Sequence, residues 1–425
     1  MAERVVIVGA GHAGTNAASA LREHGWAGEI VLLTAEEAAP YERPPLSKTI
    51  LTGGKRFEEI LLHPPGGLAA NGIQFRRGVR VNSINPAAAT IATSDGFSHS
   101  YDFLILATGS NAFVPEIPGV GLEGVVTLRS MQHSDVLRQR LRPRKKLVVI
   151  GGGLVGLEVA AAARSLSVET SVIEKAPALL SRVMPVSISS RILDLHREHG
   201  TQIALEAEIE AILGTETVEG VRLTSGKVFA ADTVLVAVGA VPDVELAQAA
   251  GLAVDRGILV NKYLQTSDHR IYAAGDVARF PSGDGTLRLE SWKNALDQGA
   301  TVAANILGGQ SPYRTVPWMW SDQFEKVVQV AGIPNASQIA VDRPLEDGGL
   351  MSFLLSSTGA LEAVAAFGDI SQVAKSIRIA TSMIEKGVSP PAALLADPSS
   401  DLREILRSDT GLRNLSYGTK ITAAI

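Results

Sequence analysis

The chain has 425 residues, 46% of them hydrophobic and 20% charged, which is enough for two or three domains with cores of their own. Its 39 basic and 44 acidic side chains leave a formal net charge of -5, arguing against a generic nucleic-acid binder, whose whole domain would be basic. It contains no cysteine, which excludes disulfides, cysteine-ligated iron–sulfur clusters and any thiol couple, so electrons handled here must sit on a bound cofactor.

Nothing resembling a secretory signal precedes the first strand, and the most apolar stretch, Leu147 to Ala163, is broken by glycines and Glu158. A cytoplasmic protein without a membrane span is expected. VVIV, Val5 to Val8, is the continuous apolar run of a buried parallel strand and leads into Gly9, Gly11 and Gly14 of a G-x-G-x-x-G turn. Gly9 permits the tight turn, Gly11 lets backbone approach a pyrophosphate, and Gly14 lets the following helix pack closely. That helix, through Ala17, Ala18 and Leu21 to near Gly25, would point its N-terminus at the phosphates. IVLL, Ile30 to Leu33, gives the second strand. Glu36 and Glu37 follow, about 22 residues after Gly14, where an acid meets a ribose diol. The pattern leaves open which of the two does so.

PYERPPLSK, Pro40 to Lys48, is too proline-rich for a helix interior and reads as a stiff loop. Short strands separated by turns at Asn85-Pro86 and Asp95-Gly96 occupy 73–101, and DFLILATG closes the module at Gly109. From Lys146 the design repeats. LVVI leads into Gly151, Gly153 and Gly156, a helix runs through Ala163, and the strand TSVIE ends at Glu174, about 18 residues beyond Gly156. DTVLVAVG, ending at Gly239, echoes DFLILATG. Two such units predict two dinucleotide sites. RIYAAGD, Arg270 to Asp276, is a further buried strand followed by a helix over 294–307, and the economical topology returns it to the first domain. Beyond Ser311, VVQVAGI, GGLMSFLL, an SSTG turn and LEAVAAF predict an antiparallel meander, with helices at 372–386 and 401–406.

The expected architecture is therefore α/β. Two Rossmann-like domains come first: a discontinuous one at 1–112 and 241–312, and an inserted one at 113–240. An α+β interface domain at 313–425 completes the chain.

With ATG (Ala107, Thr108, Gly109) and the Gly275-Asp276 pair, the chain resembles the two-dinucleotide flavoprotein reductases along its whole length. PYERPPLSK, PWMWSDQF (Pro317 to Phe324) and LESWKNALDQG (Leu289 to Gly299) are similar to the FAD-dependent NADH:ferredoxin reductases of the putidaredoxin reductase and rhodocoxin reductase type, and to reductase components of aromatic-ring dioxygenases. The absence of cysteine removes the disulfide-reducing branches of that superfamily.

The resemblance implies FAD in the first domain, held at Gly9, Gly11, Gly14, Glu36 or Glu37, Arg43, Lys48, Ala107, Thr108, Gly109, Gly275, Asp276, Trp292 and Ala295. Asp276 would bond the ribityl chain. It implies NAD(H) in the second, at Gly151, Gly153, Gly156, Glu158, Glu174 and Gly239. Glu158 would bond the nicotinamide carboxamide and pair with Lys48 near flavin N5. The implied reaction is hydride transfer from NADH to the flavin, then single electrons to a [2Fe-2S] ferredoxin serving a cytochrome P450 or a ring-hydroxylating dioxygenase.

Glu174 beside the ribose favours NADH over NADPH by repulsion of a 2′-phosphate. A monomer is expected, since no shared disulfide-reductase site is needed. For the partner surface, Trp320, Arg288, Lys293 and Lys326 are candidates, while the basic run Arg138 to Lys146 reads as solvated. His196 and His199 read as an exposed helix end, and no histidines form a metal motif. Two rival functions share the plan. A NADH:quinone oxidoreductase needs a membrane-binding element that LSYGTKITAAI (415–425) is too short and too weakly amphipathic to supply. A redox-sensing interaction protein resembling apoptosis-inducing factor would lack the targeting segment.

Overall fold

A computed structural model describes residues 3–408. The LSYGTKITAAI stretch lies outside these described residues. The chain forms two compact units. The first comprises Met1–Phe113, Leu128–Asp135 and Gly239–Thr315; the second comprises Val114–Thr127, Val136–Val238 and Val316–Ile425.

In the first unit the apolar runs become adjacent strands of one parallel sheet. Its order is Ile271–Ala273, Phe103–Leu106, Arg4–Val8, Glu29–Leu33, Ile73–Arg76. Val6 registers with Val31 on one side and Leu104 on the other, and Tyr272 with Ile105. The RIYAAGD strand thus joins the first sheet at its edge. Each large aliphatic buried here, such as Ile7, Leu32 or Leu104, contributes about 1.5–3 kcal/mol. Two helices pack face to face over this sheet, the first fingerprint helix His12–Glu23 and Trp292–Ile306. Gly299 makes their approach possible: a Cβ there would lie 2.5 Å from the Ala13 carbonyl oxygen. The chain leaves and re-enters through a two-stranded antiparallel ribbon, Ser110–Ala112 against Ala240–Pro242.

Residues 128–135, expected within the inserted stretch, belong instead to the first unit. Met131 N–H donates to the Tyr41 hydroxyl (3.0 Å), and the Ser134 hydroxyl to the Leu46 carbonyl (2.9 Å). Leu128 and Met131 also pack on a small core of Tyr41, Leu46, Ile50 and Ile60. Long-range contacts of this kind leave no trace in local composition.

The second unit contains the repeat, a parallel sheet ordered Gln202–Ala204, Glu169–Ile173, Lys146–Ile150, Thr233–Val236, Val125–Val126. It also contains the C-terminal meander, a five-stranded antiparallel sheet ordered Trp318–Gln323, Lys326–Gly332, Leu361–Gly368, Leu350–Leu355, Ile339–Pro344. Helix Ile370–Glu385 covers this sheet with Val373, Ile377, Ala380 and Met383, the one apolar stripe that three- and four-residue spacing provides. Helix Val186–Glu198 packs against strands Leu350–Leu355 and Leu361–Gly368.

Candidate functional site

The two fingerprint turns have the same build. Gly9 (φ +107°) and Gly151 (φ +105°) turn left-handed where a side chain would strike backbone, at 2.2 Å from the Ala107 carbonyl oxygen and 2.5 Å from that of Ala237. Gly14 and Gly156 sit on the turn itself; a Cβ would lie 1.9 Å from Gly9 O and 2.3 Å from Gly151 O. The middle glycines differ in kind. A Cβ on Gly11 would meet only Arg43 Nε at 3.8 Å, and one on Gly153 only Ala237 O at 4.0 Å. Each middle glycine therefore faces open space at a helix N-terminus, with extended backbone (φ -75° and -83°). That is the room and the electrostatics a pyrophosphate requires.

Around the first cradle the structure separates the two acids. Glu36 accepts from Arg43 Nη2 (2.6 Å) and from the Tyr41 hydroxyl (2.6 Å), whereas Glu37 is exposed and lies against Gly78. Burial alone would raise the Glu36 pKa, but the Arg43 charge and the two bonds outweigh it and hold the carboxyl below its usual range. Arg43 also donates to the Arg129 carbonyl (2.8 Å). Asp276 accepts at one oxygen from Arg129 Nη2 (2.7 Å) and Ser110 Oγ (3.1 Å).

Thr108 Oγ1 donates to the Asp243 carbonyl (2.7 Å), and Gly109 is left-handed (φ +73°) beside Arg129. Gly275 stands between Ala13 and Ala295, in the first turns of the two packed helices, and donates to Gln298 Oε1 (2.7 Å). Trp292 opens the second of those helices, its Nε1 bonded to Glu42 Oε2 (2.8 Å), which His12 Nε2 also meets at 2.7 Å. Burial pushes the Glu42 pKa up, and the His12 and Trp292 bonds reverse that to a net lowering. Lys48 follows the 3-10 turn Pro44–Ser47, which its two prolines pre-shape, and is half-buried.

At the second cradle Glu174 folds back over the turn. Gly152 N–H donates to Oε2 and Ala176 N–H to Oε1, both at 2.7 Å. Glu158, on the second turn of the helix, is 7% exposed and accepts from Ser321 Oγ at 2.6 Å. Gly239 (φ +123°) falls in the first unit, at the ribbon, where its carbonyl accepts from Phe113 N–H.

One expectation needs correction. His196 is fully buried, not at an exposed helix end: it continues the apolar face of Ile188, Ile192 and Leu195 and bonds Gln323. His199 alone fits the expectation in part, stacked on Phe324 at 3.8 Å between ring centroids. The basic docking candidates each pair with a nearby carboxylate: Arg288 with Glu290 (2.7 Å), Lys293 with Asp297, and Lys326 with Asp369 (2.8 Å) and Asp347. Trp320 lies half-buried and stacked on Trp318 (5.2 Å).

Within the basic run, Arg140 pairs with Glu123 and Lys145 with Asp232, as a solvated segment would. Tyr41, Glu42, His12, Ser110 and Arg129 had not been singled out. Tyr41 and Glu42 lie within PYERPPLSK, but nothing local distinguishes Arg129, whose carboxylate partner is far along the chain. Among the described residues there is no cluster of three metal-ligating side chains, and no helix is long and apolar enough to cross a membrane.

Residues 3–299 match the family model described as pyridine nucleotide-disulphide oxidoreductase, and residues 318–406 the reductase C-terminal model. The chain belongs to the pyridine nucleotide-disulphide oxidoreductase family. Rhodocoxin reductase of Rhodococcus erythropolis is 39% identical over 82% of this chain and 82% of its own. The anthranilate 1,2-dioxygenase system ferredoxin–NAD(+) reductase component of Burkholderia cepacia is 38% identical over 95% of this chain and 100% of its own. Among solved structures, the covalent putidaredoxin reductase–putidaredoxin complex matches with a TM-score of 0.90 at 34% identity, covering 96% of this chain and 99% of that one. With no cysteine, this member has two glycine cradles and no thiol of its own.

Proposed function

We propose that the chain is a cytoplasmic, FAD-dependent NADH:ferredoxin oxidoreductase, supplying electrons through a [2Fe-2S] ferredoxin to a cytochrome P450 or a ring-hydroxylating dioxygenase, and acting as a monomer. The observation that carries this reading is the pair of like-built open glycine cradles in a chain without cysteine. Two nucleotide sites serve a hydride transfer that no thiol can take over. The names of the relatives point to the same partner class.

FAD, when bound, accepts a hydride and gives up its electrons one at a time. The residues fit such a group. Gly9, Gly11 and Gly14 would open the helix N-terminus to a pyrophosphate, and Ala107, Thr108, Gly109, Gly275 and Ala295 would line the approach. Glu36, the acid turned towards Arg43 beside Gly11, would take the ribose diol. Asp276, steadied at one oxygen by Arg129 and Ser110, would accept from the ribityl hydroxyls with the other. Trp292 and Lys48 would border the ring. On the nicotinamide side, Gly151, Gly153 and Gly156 would hold the pyrophosphate, Glu174 the adenosine ribose, and Glu158 the carboxamide.

The test is anaerobic reduction of a [2Fe-2S] ferredoxin by NADH with the purified FAD-loaded protein. Reduction well above the rate without enzyme is expected; none, with every ferredoxin tried, would overturn the reading.

A further inference from the structure

Glu158 is not held alone. Ser321 and Gln323 alternate onto the same face of strand Trp318–Gln323, and both are fully buried. Gln323 Nε2 donates to Ser321 Oγ at 2.8 Å, and Ser321 Oγ donates to Glu158 Oε1 at 2.6 Å. Behind Gln323, His196 Nε2 meets Gln323 Oε1 at 2.8 Å.

These contacts admit one direction. The Gln323 amide gives its N–H to the serine, so its oxygen must accept, and His196 carries its proton on Nε2. Burial keeps that imidazole neutral, with its pKa lowered to about 4. Every donor therefore points towards the carboxylate, and each bond polarises the next. Phe324, left-handed at the hairpin turn (φ +56°), closes the far end, edge-on to His196 (5.0 Å) and stacked on His199. His196 Nδ1 is buried without a partner, a cost in stability that the rest of this arrangement must offset.

We propose that Ser321, Gln323 and His196 are positioning residues that fix the Glu158 carboxylate in the plane needed to accept from the nicotinamide carboxamide. The proposal rests on the reading of Glu158 as the carboxamide ligand. Pinning Oε1 from one side determines where Oε2 points. The C-terminal sheet thereby takes part in hydride transfer, because it supplies a bond that sets Glu158.

The test uses the FAD-loaded full chain, with NAD+ affinity measured by calorimetry and flavin reduction by NADH followed in anaerobic stopped flow. Ser321→Ala should weaken NAD+ binding and slow reduction about tenfold each, the size of one hydrogen bond to a charged group, and Ser321→Thr should restore both. Gln323→Leu, which keeps Ser321 and cuts the relay one step back, should give a smaller loss in the same direction. In a Glu158→Ala background, which removes the acceptor, Ser321→Ala should add nothing.

Wild-type NAD+ affinity and reduction in Ser321→Ala, or an equal loss in both backgrounds, would overturn the proposal, as would a lowered melting temperature with both readouts unchanged. A wild-type protein that neither binds NAD+ nor is reduced by NADH would instead sink the functional reading on which it rests.

Discussion

Replacing Glu174 by alanine should move coenzyme preference towards NADPH. The Glu174 carboxylate lies on the fingerprint turn, with both oxygens held by backbone N–H groups of Gly152 and Ala176 at 2.7 Å. It cannot swing away from a ribose placed there without leaving two donors unpaired. A 2′-phosphate at roughly 4 Å would be repelled by about 4 kcal/mol per charge pair at an effective dielectric near 20. Glu174 is half-buried, so water screens part of this, and about 2–3 kcal/mol is a fairer figure. That corresponds to roughly 30- to 150-fold in kcat/KM. Lys175 offers little compensation, because it is exposed and paired with Glu208 at 2.7 Å.

The assay is kcat/KM for both coenzymes, in wild type and Glu174→Ala. Wild type should favour NADH by that factor. The variant should lose most of the preference, partly through a fall with NADH as the diol bonds go. An NADPH efficiency equal to or above that of NADH in wild type, or an unchanged ratio in the variant, would refute the reasoning.

Gly14→Ala and Gly11→Ala should fail differently. The first forces a methyl to within 1.9 Å of Gly9 O and should cost more than about 3 kcal/mol of stability, seen as loss of soluble protein or a large drop in melting temperature. The second has space and an ordinary φ, so the apoprotein should melt within a few degrees of wild type while FAD content falls sharply. Arg129→Ala should leave Asp276 without its cation, lowering stability by about 1–3 kcal/mol and increasing FAD loss on dilution, measured by flavin fluorescence.

His196 titrates at about 4 when folded and near 6.5 when unfolded, so the unfolded chain binds the extra proton between those values. Its penalty is absent above pH 6.5, grows as pH falls and levels off below pH 4 at about 3 kcal/mol. Denaturation of wild type and His196→Leu at several pH values should show the difference between them shift in the variant's favour by up to that amount. A constant difference would count against a neutral His196.

Both glycine cradles could be read from residue order because their chemistry is local: a strand, three glycines and an acid lie within about 30 residues. The return of RIYAAGD to the first sheet was also legible, since a buried strand ending in Gly-Asp had no place in the repeat. What stayed hidden depends on distant pairing. Arg129 meets Asp276 only after the chain has passed through residues 136–238, and Glu36 is set apart from Glu37 by Tyr41 and Arg43 turning back onto it.

The burial of His196 is masked in the sequence because the nearby Gly200 looks like a helix end. The signal that mattered was its four-residue spacing from Ile192 on the apolar face. Nor could composition show that Arg288, Lys293 and Lys326 each carry their own carboxylate.

The central claim, a flavoprotein that takes hydride from NADH and passes single electrons to an iron–sulfur carrier, is tested most directly by double-mixing stopped flow. The FAD-loaded protein is reduced anaerobically with NADH, then mixed with oxidised [2Fe-2S] ferredoxin while the flavin spectrum is followed. Rapid bleaching by NADH and rapid return of the oxidised spectrum with a ferredoxin are predicted. No bleaching, or a return with quinone but with no ferredoxin, would contradict it.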